Sequence, residues 1–155
     1  MGVPAVPAAR HGGGNRQAGR ILGVDLGTRR VGLALTDSLR LISSPFTTIP
    51  MSSEGALTEH LLQISREHDV RTVVIGLPVS ADGSEGPGCA RARRLAGLLA
   101  SRGMRAELQD ESWSSREAEK ILRDVGKTRR TAKEKIDAVA ASLILRDFLE
   151  GSSLR

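Results

Sequence analysis

Apolar and polar positions change period several times along the chain, and each change predicts an element. Residues 20–26, RILGVDL, are almost continuously apolar over a length that suits a strand. A short turn at 27–30 leads into a second such run over 31–36, so the two predict a hairpin. A third strand is expected over 42–49. Pro45 places that strand at a sheet edge or at a bulge, because proline has no N–H to give to a ladder. Beyond Ser53 the period lengthens. Leu57, Leu61 and Ile64 recur at helical spacing and predict a helix over about 54–68. Residues 71–77, RTVVIGL, form an unbroken apolar run closed by Pro78, as expected of a strand covered on both faces in a parallel sheet.

The pattern continues with a helix over about 89–101, stopped by Gly103, and a fifth strand over 104–109. Ser114 and Ser115 then offer an N-cap, with Glu117 in the first turn of a helix reaching about Asp124. A last helix is expected over 133–150, ended by Gly151. The order βββαβαβαα describes an α/β chain in which hairpin strands give way to alternating helices and strands, hence a mixed sheet with helices packed on it. Residues 126–132, GKTRRTA, read as a basic linker. Residues 1–19, rich in Gly, Pro and Ala with no apolar period, read as a disordered tail. The folded domain is expected over 20–150, with a short tail at 151–155.

Composition narrows the function classes. A length of 155 residues suits one domain with a sizeable core. The formal charge of +5, from 23 Lys+Arg against 18 Asp+Glu, favours acidic partners such as nucleic acid. The aromatics are Phe46, Trp113 and Phe148 alone, which argues against recognition by stacking bases on an aromatic platform and for contact through phosphates. The single cysteine, Cys89, permits no internal disulfide and reads as a small packing residue in a reducing cytoplasm. No apolar run approaches the ~18 residues that span a bilayer, and the N-terminus lacks the apolar core of a secretory signal. The expectation is a soluble cytoplasmic protein.

Three carboxylates stand in unusual places. Alternation along the first strand puts Leu22, Val24 and Leu26 on one face and Ile21, Gly23, Asp25 and Gly27 on the other. A buried, unpaired carboxylate costs several kcal/mol, so Asp25 needs a partner, and the flanking glycines leave room for a metal ion or a phosphate. The alternative is a carboxylate that caps the turn through backbone N–H groups. Glu111 follows the fifth strand, next to Asp110, at the carboxyl end where sheet ligands bind; the alternative is a solvated turn that helps start the next helix. Asp137 falls on the apolar arc of the last helix with Ala140, Ala141, Ile144 and Phe148, while Lys135 and Arg146 lie on the far side. Its alternative is an ion pair with Lys133 one turn earlier. Carboxylates are preferred ligands of Mg²⁺ and Mn²⁺, and a pair of such ions can activate water and stabilise the leaving oxygen of a phosphodiester.

On these stretches the chain resembles the YqgF/RuvX family, the Holliday-junction-resolvase-like or pre-16S rRNA nucleases of bacteria. The resemblance runs over about residues 20–149. It is carried by ILGVDLGTRRVGLALTD, VVIGLPVSADGSEGPGCARARRLAGLL, DESWSS and KEKIDAVAASLIL. It implies a ribonuclease H-like fold, a mixed five-stranded sheet with helices packed on both faces. It also implies that Asp25, Glu111 and Asp137 are a catalytic, metal-binding acidic triad of a Mg²⁺- or Mn²⁺-dependent nuclease. The substrate class it implies is structured nucleic acid, either pre-16S rRNA at its 5′ end or branched DNA. One departure stands out: the family usually reads Asp-Glu-Arg, and here Ser112 replaces the arginine and Trp113 follows, which removes a basic phosphate contact at that position.

Substrate contacts are expected from two basic segments. Lys127, Arg129, Arg130, Lys133 and Lys135 precede Asp137, and Arg29 and Arg30 lie in the first hairpin turn. The bland alternative for both is a solvated face. The loop 82–88, DGSEGPG, reads either as a connector or as a lid that leads into Arg91, Arg93 and Arg94. Two other functional classes remain open on the residues alone. One is an actin-like phosphotransferase, disfavoured because such enzymes generally need two domains; the other is a non-catalytic nucleic-acid-binding factor, disfavoured by the inward-facing acids. A junction resolvase would need two active sites and so a homodimer.

Overall fold

The first two strands, β1 (Arg20–Leu26) and β2 (Arg30–Thr36), pair antiparallel, with Asp25 opposite Gly32 and Leu22 opposite Leu35. The structure is a computed structural model that describes residues 19–111 and 129–153. The expected N-terminal tail (residues 1–18 of it), the helix over 114–124, Ser112, Trp113 and Lys127 lie outside the described residues, as do residues 154–155. β3 (Ser43–Pro50) pairs antiparallel with β2 at the sheet edge. Its register shifts where Leu33 faces Thr47 and Ala34 faces Pro45, so that Phe46 is skipped. The proline thus sits at an edge and at a bulge together.

After β3 the chain forms α1 (Glu54–Glu67), whose N-cap Ser53 accepts a hydrogen bond from the Ala56 N–H at 3.1 Å. β4 (Val70–Leu77) then runs parallel to β1. The helix α2 (Pro87–Ser101) carries the chain to β5 (Arg105–Asp110), parallel to β4. The sheet order is β3-β2-β1-β4-β5. The last described element is α3 (Arg129–Ser153). It begins four residues before the expected start, so 129–132 are helical rather than linker. No glycine or proline lies between 127 and 150 to stop the helix from extending, and Gly151 costs only about 1 kcal/mol within it.

The period-two alternation of β1 divides the molecule. Leu22 and Val24, with Val31, Leu33, Val73 and Ile75, pack against Leu57 and Leu61 of α1 and Leu95 and Leu99 of α2. Ile21, Ala34 and Val74 face the other way, onto Ala141, Ile144 and Leu145 of α3. Helices therefore cover both faces, as the resemblance implies. The two sides are unequal among the described residues: seventeen buried residues make the first cluster and six the second. Cys89 belongs to the larger one and is fully buried there, in keeping with its reading as a packing residue. No described helix is long and apolar enough to cross a membrane.

Candidate active site

Asp25 lies near the carboxyl end of β1, on the side that faces α3. Glu111 follows directly on β5, and its backbone N–H donates to the Leu77 carbonyl of β4 at 3.2 Å. Both acids thus stand at the carboxyl ends of parallel strands, where such sheets bind ligands. β4 lies between their two strands, and Glu111 reaches over it at Gly76, where a Cβ would come within 2.7 Å of Glu111 Oε1 and 2.5 Å of Ile144 Cδ1. Asp137 arrives from α3, whose backbone crosses β2 at Gly32. A Cβ at that position would lie 2.0 Å from the Asp137 carbonyl oxygen.

The glycines flanking Asp25 have a different role from the one expected. Space beside Gly23 is filled by α3, since a Cβ there would meet Leu145 Cγ at 2.5 Å. Space beside Gly27 is filled by the Arg30 carbonyl oxygen, at 2.6 Å. They admit a helix and a tight turn rather than an ion or a phosphate. Gly32 and Gly76, which do shape the site, went unread in the sequence. The available signal was a glycine interrupting each strand, a mark of close backbone approach.

Asp25 and Glu111 are brought into direct contact. The Asp25 carboxyl is pushed up to about 6, by burial first, against a hydrogen bond from the Glu111 carboxyl that lowers it and with the Asp137 charge that raises it. Glu111 rises further, to about 8, through burial first, then the Asp25 charge and the shared hydrogen bond. The pair titrates as a unit that holds a proton near neutrality. Glu111 Oε1 is buried and, among the described residues, has no hydrogen-bond partner. Two desolvated carboxyls in contact, one with an orphaned oxygen lying over Gly76, are the oxygen donors that a hard divalent cation takes. The residues present fit such an ion.

Asp137 lies within electrostatic reach of this pair but is bonded to a different partner. Its Oδ2 accepts a hydrogen bond from Arg30 Nε at 2.7 Å, an ion pair with both side chains partly buried. Among the described residues no three carboxylate, imidazole or thiolate groups converge closely enough to hold one ion. Arg30 itself is the first residue of β2 rather than part of the turn. Arg29 is exposed beside it, and Lys135 is exposed on α3. Arg129, Arg130 and Lys133 lie on the first turns of α3, with their side chains outside the description. Of the arginines after the 82–88 loop, Arg91 donates to the Gly27 carbonyl at 2.8 Å and so ties α2 to the turn that follows Asp25. Arg93 pairs with Glu85 and Arg94 with Glu54.

The raised pair makes stability depend on pH with a definite sign. Carboxyls whose folded pKa lies above the unfolded value contribute stability that is complete below about pH 4 and is lost as pH rises through 6 and 8. In chelator, urea unfolding is therefore expected to show a less stable protein at pH 8 than at pH 6. Millimolar Mn²⁺ is expected to flatten or reverse that slope. A metal-free slope of opposite sign between these pH values would contradict the buried pair.

Residues 19–151 match the family described as RuvX, Holliday junction resolvase. A protein of Chloroflexus aggregans described as "Putative pre-16S rRNA nuclease" is 40% identical over 131 residues, covering 84% of this chain and 92% of its own. One of Chlorobium luteolum with the same description is 43% identical over 136 residues, covering 85% and 94%. Among solved structures, Thermus thermophilus RuvC superposes with a TM-score of 0.55 at 12% identity over 86% of this chain and 96% of that one. The Fowlpox virus resolvase in its complex with Holliday junction DNA gives 0.50 at 12% identity, over 88% and 99%. At that identity the structural likeness concerns the fold alone.

Proposed function

The chain belongs to the RuvX family, and on that premise we propose that it is a Mg²⁺- or Mn²⁺-dependent endonuclease acting in the cytoplasm on structured nucleic acid, with the 5′ end of pre-16S rRNA as its substrate. The observation that carries the metal dependence is the contact between Asp25 and Glu111, with Glu111 Oε1 buried and unpartnered. The choice of RNA rests on the description shared by relatives at about 40% identity over most of the chain.

Each acid has a role in this reading. Asp25 and Glu111, once deprotonated, would hold the metal as paired anionic ligands, with Asp137 completing the set from α3. The bound metal supplies a water of lowered pKa and charge neutralisation at the phosphate. The basic residues hold the sugar–phosphate backbone in register with the acids: Arg29 and Arg30 from the first hairpin, and Lys127, Arg129, Arg130, Lys133 and Lys135 from the approach to α3 and its first turns.

The test is purified protein incubated with Mg²⁺ or Mn²⁺ on pre-rRNA leader transcripts and on four-way DNA junctions. Cleavage of the leader, abolished by chelator, is the expected result. Cleavage confined to the junction, by a protein whose solution mass is that of a dimer, would favour the second reading. That reading follows the family's own description as a junction resolvase. Salt-sensitive binding without cleavage that survives loss of all three acids would leave a non-catalytic binding factor instead.

A further inference from the structure

The third acid, Asp137, is ion-paired with Arg30 at 2.7 Å. We propose that Arg30 is a resident counter-cation: it holds Asp137 beside the Asp25–Glu111 pair until a divalent cation arrives, gives the carboxylate up to that cation, and then takes a phosphate of the nucleic acid. The proposal rests on the metal-nuclease reading and assigns one side chain two successive partners.

The placement of Arg30 is built into the strand. Val31 and Leu33 of β2 point into the large core, so Arg30, Gly32 and Ala34 point towards α3. Gly32 lets the helix backbone come close, and that approach sets Asp137 against Arg30 although 107 residues separate them. The bond is short, at 2.7 Å, but the partners keep 34% and 20% of their side-chain surface in solvent. A pair exposed to that degree is worth little net, so a dication with two further carboxylates to offer can displace it. Among the described residues Arg30 is the cation paired with the third acid, whose charge already reaches Asp25.

The second half of the role follows from guanidinium chemistry. Nε makes the bond to Asp137, and the fork carries four more N–H donors in one plane, the geometry that pairs with phosphate oxygens two at a time. Released from Asp137, Arg30 lies next to the acids that would hold the metal, where a scissile phosphate must sit. Lysine, a compact point charge, would serve the first task better than the second.

The test uses Arg30→Gln and Arg30→Lys, with Mn²⁺ affinity read by titration calorimetry and the KM for leader RNA read alongside kcat. Arg30→Gln is expected to bind Mn²⁺ about three- to tenfold tighter, because the competing cation is gone. It is also expected to raise the KM about tenfold or more, because a charged phosphate contact is gone. Arg30→Lys should keep a Mn²⁺ affinity near the wild type and show an intermediate KM, and it reports on the role if the glutamine variant does not fold. The opposite signs are the signature, since damage to the fold would weaken both. Unchanged or weaker Mn²⁺ binding in Arg30→Gln, or an unchanged KM, overturns the proposal while wild-type Mn²⁺ binding and cleavage leave the nuclease reading standing. A wild type that neither binds Mn²⁺ nor cleaves overturns both.

Discussion

Asp25→Asn is expected to lower the proposed metal-dependent cleavage by at least ~10²-fold, because loss of a group that merely supports a metal ligand already costs 10–100-fold, and at pH 8 in chelator to make the protein more stable than the wild type. The two effects have one cause. Asp25 is desolvated, touches Glu111 and feels Asp137, so its negative charge is a liability to the empty fold and an asset to a cation. Asparagine keeps the shape, stays neutral at every pH, and removes the charge that helps push Glu111 upward. The gain above pH 6 is on the order of 1–3 kcal/mol, from about 1.4 kcal/mol per unit of pKa shift. It should shrink as pH falls through the unfolded carboxyl values and vanish below them, where the wild-type carboxyls are protonated in both states. Single-turnover cleavage and urea unfolding at three pH values measure both. Cleavage within a few-fold of the wild type would remove Asp25 from the site.

Gly32→Ala is expected to cost about 2–4 kcal/mol, at or beyond the usual range for overpacking, and to lower cleavage by more than tenfold. The added methyl would sit 2.0 Å from the Asp137 carbonyl oxygen and 2.2 Å from its carbon. These are backbone atoms, so no rotamer change relieves the overlap, and the helix as a whole must withdraw. Withdrawal carries Asp137 with it, and a displacement of about 1 Å at a reacting centre can cost ~10²-fold. Gly55→Ala supplies the contrast. Nothing lies within 4 Å of a Cβ there, on exposed α1, and alanine should add up to about 1 kcal/mol of helix stability. A Gly32→Ala protein that unfolds with wild-type urea dependence would mean that α3 does not cross β2 so closely.

Much of the scaffold was legible because its signals are local. Alternation over seven residues sufficed to divide the two faces of β1, and one proline marked β3 as an edge. Asp25 drew notice as an acid in an apolar run, and its face is the one the structure gives it. What the glycines beside it are for was not legible. Whether a gap holds an ion or a neighbour depends on Leu145 and Ala141, more than a hundred residues away in sequence. The same distance hid Arg30, which reads as a turn residue until α3 is docked and supplies its partner. The start of α3 is not legible because its first residues are basic and read as a linker, although no helix breaker lies among them.

The unequal cores have a consequence for how the molecule comes apart. Among the described residues the buried apolar residues around α3 fall into two small clusters, of six and of two, while α1 and α2 share one of seventeen. Opening free energies follow such differences in buried apolar contact, so α3 is the element whose amides should exchange through the cheaper, sub-global event. Asp137 rides on that element. Warming would then switch the catalyst off by releasing one helix while the sheet stays whole, with the inactivation midpoint several degrees below the loss of strand signal. Coincident midpoints would argue for a single cooperative unit. On the proposed reading, the helix that carries Asp137 doubles as the molecule's thermal fuse.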